Sequence, residues 1–313
     1  MDPLTQTITL LRPRALHWKR REAAGDWAVR FPANNGAVFC LVAGGRCVFQ
    51  VSEHQPRALG EGDFLLLTIP PVWTLGATES SLSRPVDGID AASAVPAAAE
   101  GSAETAAVTQ VFGGHFKFDD ANAGLLDGLL PPIVEIRSAE AGAARLRGVL
   151  DLIGDEASTD RPGRTLVLDR LLEIMLVEAI RHCATGPIEP RRGLLAGLAD
   201  PRIAASLRAL HADIRRSWTV ARLAAIAGMS RSVFAERFTR IVGVPPIDYL
   251  LRWRMALAKD ALRFGDDRLA EVAFTCGYRS VSAFSAAFSR TVGCPPSRYA
   301  TRIIDGQRIS TAG

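Results

Sequence analysis

The spacing of hydrophobic residues changes period along this chain. In GAVFCLVAG, GRCVFQV and EGDFLLLTIPPVWTL, between residues 36 and 75, Val, Phe and Leu alternate or run together between glycine turns at Gly44-Gly45 and Gly60–Gly62. That pattern predicts short strands, and VTQVFGGHFKFDD and LPPIVEIRS continue it further on. The intervening Ala/Ser/Gly stretch, roughly Glu79–Ala107, is of low complexity and reads as a flexible hairpin insertion. From residue 139 the period lengthens. Leu146, Val149, Leu150 and Ile153 predict a helix over Ala139–Ile153, and a second stripe from Leu166 to Ile180 predicts one over Pro162–Cys183. The second stripe is too wide for one contact, so it is expected to pack on the N-terminal domain with one side and on a second subunit with the other. Leu172 and Met175 are assigned to the side facing the partner. TGPIEPRRG (185–193) reads as a linker.

The last third of the chain is duplicated. SRSVFAERFTRIVGVPPIDY (230–249) and SVSAFSAAFSRTVGCPPSRY (280–299) are identical at ten of twenty positions. Upstream, VARLAAIAGM (220–229) pairs with LAEVAFTCGY (269–278). Each copy reads as a helix, a glycine turn and a capped helix. Thr219 caps the first helix and Gly228 supplies the left-handed residue that ends it. Ser230 caps the next, with Val233, Phe234 and Phe238 facing inward, and Gly243 with Pro245-Pro246 stops it. Val272, Ala273, Gly277, Ser280, Phe284, Phe288 and Gly293 repeat the plan. This is the helix-turn-helix arrangement, whose second helix enters the DNA major groove. A solenoid would need about three copies. Between the copies, Ile247–Phe264 carries Leu250, Leu251, Met255, Leu257, Ala258 and Leu262 at helical spacing. Such a helix is roughly 27 Å long, close to one turn of duplex DNA at about 34 Å, and could hold both readers on one side. Trp253 and Phe264 are predicted core residues.

Charge separates along the same boundary. Residues 200–313 hold 18 Lys+Arg against 9 Asp+Glu, a net of +9, whereas residues 1–199 sum to −5. A basic third on an acidic remainder points to a polyanionic partner for that third alone. The five cysteines are scattered without a CxxC pair, which argues against a zinc site or a disulfide framework. No apolar run is long enough to span a membrane, and MDPLTQTITLLRPR lacks the features of a secretion signal, so a cytoplasmic protein is expected.

Residues 200–313 resemble the DNA-binding domain of AraC/XylS-family transcription regulators. The resemblance is carried by WTVARLAAIAGMSRSVFAERFTRIVGVPPIDYLLRWRM and LAEVAFTCGYRSVSAFSAAFSRTVGCPPSRY. It implies that the helix after each glycine turn reads bases, through Arg231, Ser232, Ala235 and Glu236 in the first copy and Val281, Ser282 and Ser285 in the second. Arg237, Arg240, Arg279, Arg290 and Arg298 are the phosphate candidates, which position a protein on DNA without reading sequence. Ala235 and Ala286 depart from members with a large or basic residue at mid-helix and offer only methyl contacts.

GAVFCLVAGGRCVFQV, LGEGDFLLLTIPPVWTL and GGHFKFD resemble the cupin-like sensor domain found upstream of such DNA-binding domains. The resemblance implies a β-barrel or jelly roll with a ligand pocket, for which Trp18, Trp27, Trp73 and His115 are candidates. No HxH occurs, and Trp73 stands where metal-binding relatives offer histidine, so the pocket is expected to be metal-free or vestigial, with no cofactor. No catalytic constellation can be assembled. The expected protein is a two-domain α+β chain, with a cupin-like domain at 1–137, a helical dimerisation region at 138–199 and an all-α DNA-binding domain at 200–313. Its expected partners are double-stranded promoter DNA, a small-molecule effector or none, a second copy of the chain, and RNA polymerase if it activates. A cupin-type metalloenzyme tethered to DNA and a non-sensing architectural DNA-binding protein are the alternatives.

Overall fold

The computed structural model describes residues 2–34, 36–52, 54–87, 108–140, 143–185, 192–264 and 268–300, with the side chains at 15–19, 127–128 and 185 outside the description. The strands expected from the alternation are present as β1 (Arg14–Ala24), β2 (Ala28–Phe31), β3 (Ala37–Gly44), β4 (Arg46–Val51), β5 (Arg57–Gly60), β6 (Phe64–Leu67), β7 (Trp73–Gly76), β8 (Val86–Asp87), β9 (Val108–Lys117) and β10 (Ile133–Ile136). They form two five-stranded sheets, ordered β1-β9-β3-β6-β10 and β5-β4-β7-β2-β8. All pairings are antiparallel except β2 with β8. This is a jelly-roll barrel.

Register decides what lies inside. Val38, Cys40 and Val42 of β3 stand opposite His115, Gly113 and Val111 of β9, and opposite pairs share a face. Val38, Cys40, Val42 and Val111 join Trp27, Phe31, Cys47, Phe49, Leu65, Leu67, Trp73 and Leu75 in the interior cluster. Phe39, Leu41 and Phe112 point to the opposite face of their sheet and are buried there too. Strands covered on both faces read as near-continuous apolar runs, which is why AVFCLVAG does not alternate cleanly. One seam between the sheets is closed by charge. Arg57 of β5 meets Glu135 of β10 at 2.5 Å, and Arg137 bridges Glu135 at 2.6 Å and Asp63 at 2.9 Å.

The low-complexity insertion begins later than expected. Ser81–Ser83 form a 3₁₀ turn with Ser81 and Leu82 buried, and β8 follows; residues 88–107 lie outside the described residues.

Helices follow the barrel strands as predicted, shifted by a few residues. With α1 (Pro3–Leu11) preceding the barrel, α2 spans Ala144–Ser158 and α3 Arg164–Thr185. The assignment of Leu172 and Met175 to an intersubunit face is corrected: both are fully buried within their own chain. The apolar side chains that α3 leaves exposed are instead Leu166, Val167 and Ile174. A stripe of this width is divided between the core and the surface, and periodicity alone does not say which residues take which side.

The chain divides into two compact units, and their boundaries differ from those expected. One comprises 13–118 and 130–189; the other comprises 1–12, 119–129 and 190–313. The second unit holds α4 (Leu194–Ala199), α5 (Pro201–Ala212), α6 (Val220–Ile226), α7 (Arg231–Val242), α8 (Pro246–Phe264), α9 (Leu269–Thr275) and α10 (Val281–Val292). It also recruits α1, which the sequence reading passed over. Asp2 caps α1 by accepting from the Thr5 amide at 3.0 Å, with Pro3 at the first helical position. Gln6 reaches His211 at the end of α5, its Oε1 lying 2.8 Å from Nδ1, and His211 Nε2 lies 2.8 Å from the Tyr249 hydroxyl. Burial pushes His211 down to about 4, so its imidazole is neutral at pH 7. A carbonyl oxygen can only accept, which places the proton on Nδ1 and leaves Nε2 to accept from Tyr249. Residues 119–129 add a second anchor on α8, through an ion pair of Asp119 with Arg263 and a Lys259 ammonium donating to the Ala121 carbonyl.

Leu10 and Leu11 of α1 are buried. Leu11→Ala in the full chain should therefore cost about 2–5 kcal/mol. Hydrogen exchange should report the loss at the amides of α5 and α8, and unchanged protection there would contradict the packing of α1 on this unit.

Candidate nucleic-acid interface

The two copies of the duplicated sequence build the same turn and second helix with the same bonds, and differ in how the first helix starts: Thr219 caps α6 with its side chain, whereas at α9 the Arg268 amide donates to Glu271 Oε2 at 2.9 Å. Thr219 accepts from the Arg222 amide at 3.2 Å to start α6. Gly228, at φ 63°, ends the turn, and the Met229 amide donates back to the Ala224 carbonyl at 2.9 Å. Ser230 then caps α7 through the Val233 amide at 3.5 Å, and Gly243 at φ 89° closes it. In the second copy the Tyr278 amide donates to Ala273 at 2.9 Å, Gly277 sits at φ 80°, Ser280 caps α10 through the Ala283 amide at 3.2 Å, and Gly293 at φ 86° ends it. Ala224 and Ala273 are buried where the paired helices cross, as their small side chains allow. Phe234 and Phe238, and likewise Phe284 and Phe288, are fully buried. Val233 is not: at 54% exposure it leaves the inward set expected for α7.

The connecting helix α8 serves both copies. Nineteen residues give it a length of about 28 Å. Trp253 packs on His211 with ring centroids 4.4 Å apart, and Tyr249 meets Phe238 edge-on at 5.9 Å, both on the side of the first copy. Met255 and Ala258 join Val272, Ala273, Cys276, Phe284 and Phe288 in the core of the second. Phe264, expected in the core, is 46% exposed, with the Arg12 guanidinium 3.8 Å above its ring. Arg254 spans the two modules. Its Nη2 donates to the Ile214 carbonyl at 2.8 Å and the Arg216 carbonyl at 3.2 Å, in the loop that leads into α6. The same guanidinium lies 5.6 Å from the Tyr278 ring and fills the space beside Gly277.

On α7, Arg231, Ser232 and Glu236 are exposed and Ala235 is half-buried, four residues that share one helix face by their spacing. On α10, Val281 and Ser282 are exposed and Ser285 is half-buried on the equivalent face. A shallow concavity of about 650 Å³ adjoins the first face, lined by Val220, Ala235, Glu236, Thr239 and Arg240 together with Arg192. Arg240, Arg279, Arg290 and Arg298 are exposed. Arg237 is not available as a phosphate ligand, because its Nε and Nη2 both donate to Asp200 Oδ2, at 2.9 and 2.5 Å. Asp200 Oδ1 meanwhile caps α5 by accepting from the Arg202 and Ile203 amides, each at 3.1 Å. Burial opposes ionisation of Asp200, yet these amides and Arg237 hold its carboxyl below the usual aspartate range. Arg192 was passed over because it lies in the presumed linker. The structure seats Gly193 on the end of α7 by an amide bond to the Ile241 carbonyl at 3.0 Å, and this brings Arg192 beside Gly243.

In the barrel, Trp27 and Trp73 are buried in the interior cluster, and Trp73 stacks on Phe31 at 4.3 Å. Neither indole N–H has an acceptor among the described residues. His115 is half-buried on the interior face, opposite Val38. The Trp18 side chain lies outside the described residues. Arg21, opposite Val111, is a further polar group on that face which the sequence reading did not single out. Burial pushes the Cys40 thiol up to about 12 and raises that of Cys47, so both stay protonated. Among the described residues no three His, Cys, Asp or Glu side chains are grouped to hold a metal ion, and no helix is long and apolar enough to cross a membrane.

Two helix-turn-helix modules on one rod, following a jelly-roll barrel in the chain, define a DNA-binding regulator of transcription. Comparison with known proteins agrees. A cupin family model matches residues 2–185, and a helix-turn-helix domain model matches residues 223–302. A putative AraC-like transcription regulator of Streptomyces lividans is 42% identical, covering 96% of this chain and 98% of its own. One of Streptomyces antibioticus is 40% identical over the same shares. Among solved structures, the DNA-binding domain of AdpA in complex with a target DNA is 34% identical and covers 33% of this chain and 92% of its own, with a TM-score of 0.31. The chain belongs to the AraC-like transcription regulators, with an N-terminal cupin domain.

The two turn glycines predict unequal sensitivities. A Cβ at Gly228 would meet nothing, whereas one at Gly277 would come within 2.5 Å of Arg254 Nη2 and 2.8 Å of the Ile214 carbonyl. Gly228→Ala should cost about 1 kcal/mol for the left-handed backbone alone. Gly277→Ala should cost more and displace Arg254. Equal losses in urea unfolding would contradict that placement of Arg254.

Proposed function

We propose that the exposed faces of α7 and α10 read the bases of an operator spanning two successive major grooves. In this reading Arg231, Ser232, Ala235 and Glu236 contact bases from the first module, and Val281, Ser282 and Ser285 from the second. Arg240, Arg279, Arg290, Arg298 and Arg192 hold phosphates. The observation that carries the proposal is the bond-for-bond repetition of a capped, exposed second helix at both ends of one rod, within a segment of net charge +9. The first module has the richer chemistry: a guanidinium and a carboxylate can discriminate bases by hydrogen bonding, whereas Val281 offers only apolar contact. Selection of bound sequences from random DNA should return two half-sites about one helical turn apart, with stronger base preference at the first. Arg240→Ala and Arg290→Ala should weaken all sequences alike, while Arg231→Ala and Glu236→Ala should change preference at particular positions. Identical, uniform losses in both classes would overturn the assignment of faces.

The barrel acts in this reading as a sensor with no catalytic role. Its support is an interior face on which the two buried indole donors of Trp27 and Trp73 have no acceptor among the described residues, and to which His115 and Arg21 also belong. A small molecule held there regulates DNA binding by favouring one arrangement of the chain over another. The protein works in the cytoplasm as a homodimer on promoter DNA, and contacts RNA polymerase if it activates. The face of α3 bearing Leu166, Val167 and Ile174 is the surface we assign to the second copy, since an isologous contact joins the same apolar patch on both chains. Ile174→Glu should give a monomer in sedimentation and lower the affinity for paired operators by roughly 10²-fold through lost effective concentration. A wild-type monomer at micromolar concentration would refute this assembly.

A further inference from the structure

The first reading helix carries a polar anchor that its copy cannot make. At about 100° per residue, Arg237 lies about 160° around α7 from Ala235, on the flank away from the reading face. There its Nε and Nη2 both donate to Asp200 Oδ2, at 2.9 and 2.5 Å. The other carboxylate oxygen holds the first amides of α5, those of Arg202 and Ile203. Asp200 is also the residue on which α4 ends. One carboxylate thus joins the α4–α5 corner to the flank of α7. With 11% of its side chain exposed against 39% for Arg237, it is the more deeply seated partner.

α4 holds the same helix further along. The Gly193 amide donates to the Ile241 carbonyl at 3.0 Å. Gly197 packs so closely that a Cβ there would come within 3.1 Å of Val242 Cγ2 and 2.7 Å of Leu207 Cδ1. In the second copy Ala287 occupies the place of Arg237, and a methyl group cannot form the bond. Phe234 and Phe238 seat α7 on its apolar side. A helix resting on one apolar stripe can still roll about its axis, and a charged bond on its flank opposes that roll. Recognition needs side chains held to about 0.5 Å and 10–20°.

We propose that Asp200 and Arg237 are positioning residues for DNA recognition: their bond sets the roll of α7, so that Arg231, Ser232 and Glu236 meet the bases in one attitude. The bond acts on the first half-site alone. The proposal rests on the base-reading role assigned to α7 and adds to it two residues that touch no DNA.

The operator that the full-length protein selects from random DNA supplies the probe. Titration against its single-base variants gives a preference profile across both half-sites. Asp200→Asn keeps a side chain able to cap α5 and removes the charge that holds Arg237. Arg237→Gln removes the other partner. Each should flatten the profile of the first half-site by about three- to tenfold and leave that of the second unchanged, which also reports a folded chain. The double variant should be no worse than either single one, as one shared bond requires. For Arg237→Gln the slope of log affinity against log salt should stay at the parent value, whereas a lost phosphate contact would lower it by about 0.9. Tighter binding of Asp200→Asn to all sequences would show that Asp200 restrains a phosphate ligand, and would overturn the proposal. Equal losses at both half-sites would overturn it too. Arg231→Ala separates the two levels. If it flattens the first half-site while Asp200→Asn and Arg237→Gln do not, the proposal fails and the base-reading role stands; if it also leaves that profile intact, the base-reading role falls and the proposal with it.

Discussion

One half-buried guanidinium fixes the geometry on which DNA recognition depends. Arg254 sits on the rod between the modules, bonded to two carbonyls of the loop before α6 and packed beside the glycine turn of the second module. Backbone carbonyls that fold into the interior need donors, and a planar fork with five N–H groups can serve two of them while keeping an aromatic face. The second module has a Tyr278 ring beside its turn, and Arg254 lies against it. The same side chain completes the polar contacts of the first module and the packing of the second, and so ties the two together.

The rest of that unit supports the rod. His211, held neutral by burial, links α5 to Tyr249 of α8 and to Gln6 of α1. Arg263 and Lys259 tie the other half of α8 to residues 119–121. The supporting segments 1–12 and 119–129 are continuous in sequence with β1 and with β9, which are paired over almost their whole length. The chain therefore passes between the units four times. An effector that alters β1 or β9 has covalent routes to α1 and to 119–129, in addition to the one through 190. Such a change affects DNA binding only by as much as the effector prefers one arrangement over another.

Much of this was legible in the sequence, for identifiable reasons. Glycine turns, serine caps and paired phenylalanines are local signals, and the duplication displays each of them twice; both second helices follow the pattern down to their capping bonds. The alternation around residues 36–75 likewise marked the barrel. What escaped depended on long-range contacts. Leu172 and Ile174 are two residues apart on a strongly apolar helix, and only the tertiary packing shows that the first is core and the second surface. Arg237 looks like any surface arginine until Asp200, 37 residues away, is seen to hold it. Arg192 was hidden in a linker that the fold uses as part of the first module. The cap of α1 is the exception: Asp2 followed by Pro3 is a local helix start that the sequence itself displays.

The central claim is that both modules act as one rigid reader. The direct measurement is the affinity of the full-length protein for its selected operator, and for the same operator with five base pairs inserted between the half-sites. The insertion turns the second half-site to the opposite side of the duplex. A rod held by Arg254 should lose roughly 10²-fold in affinity on the insertion, and Arg254→Ala should lose much less because its modules can reorient. Equal affinity of the parent protein for both DNAs would show that the modules bind independently and would contradict the account.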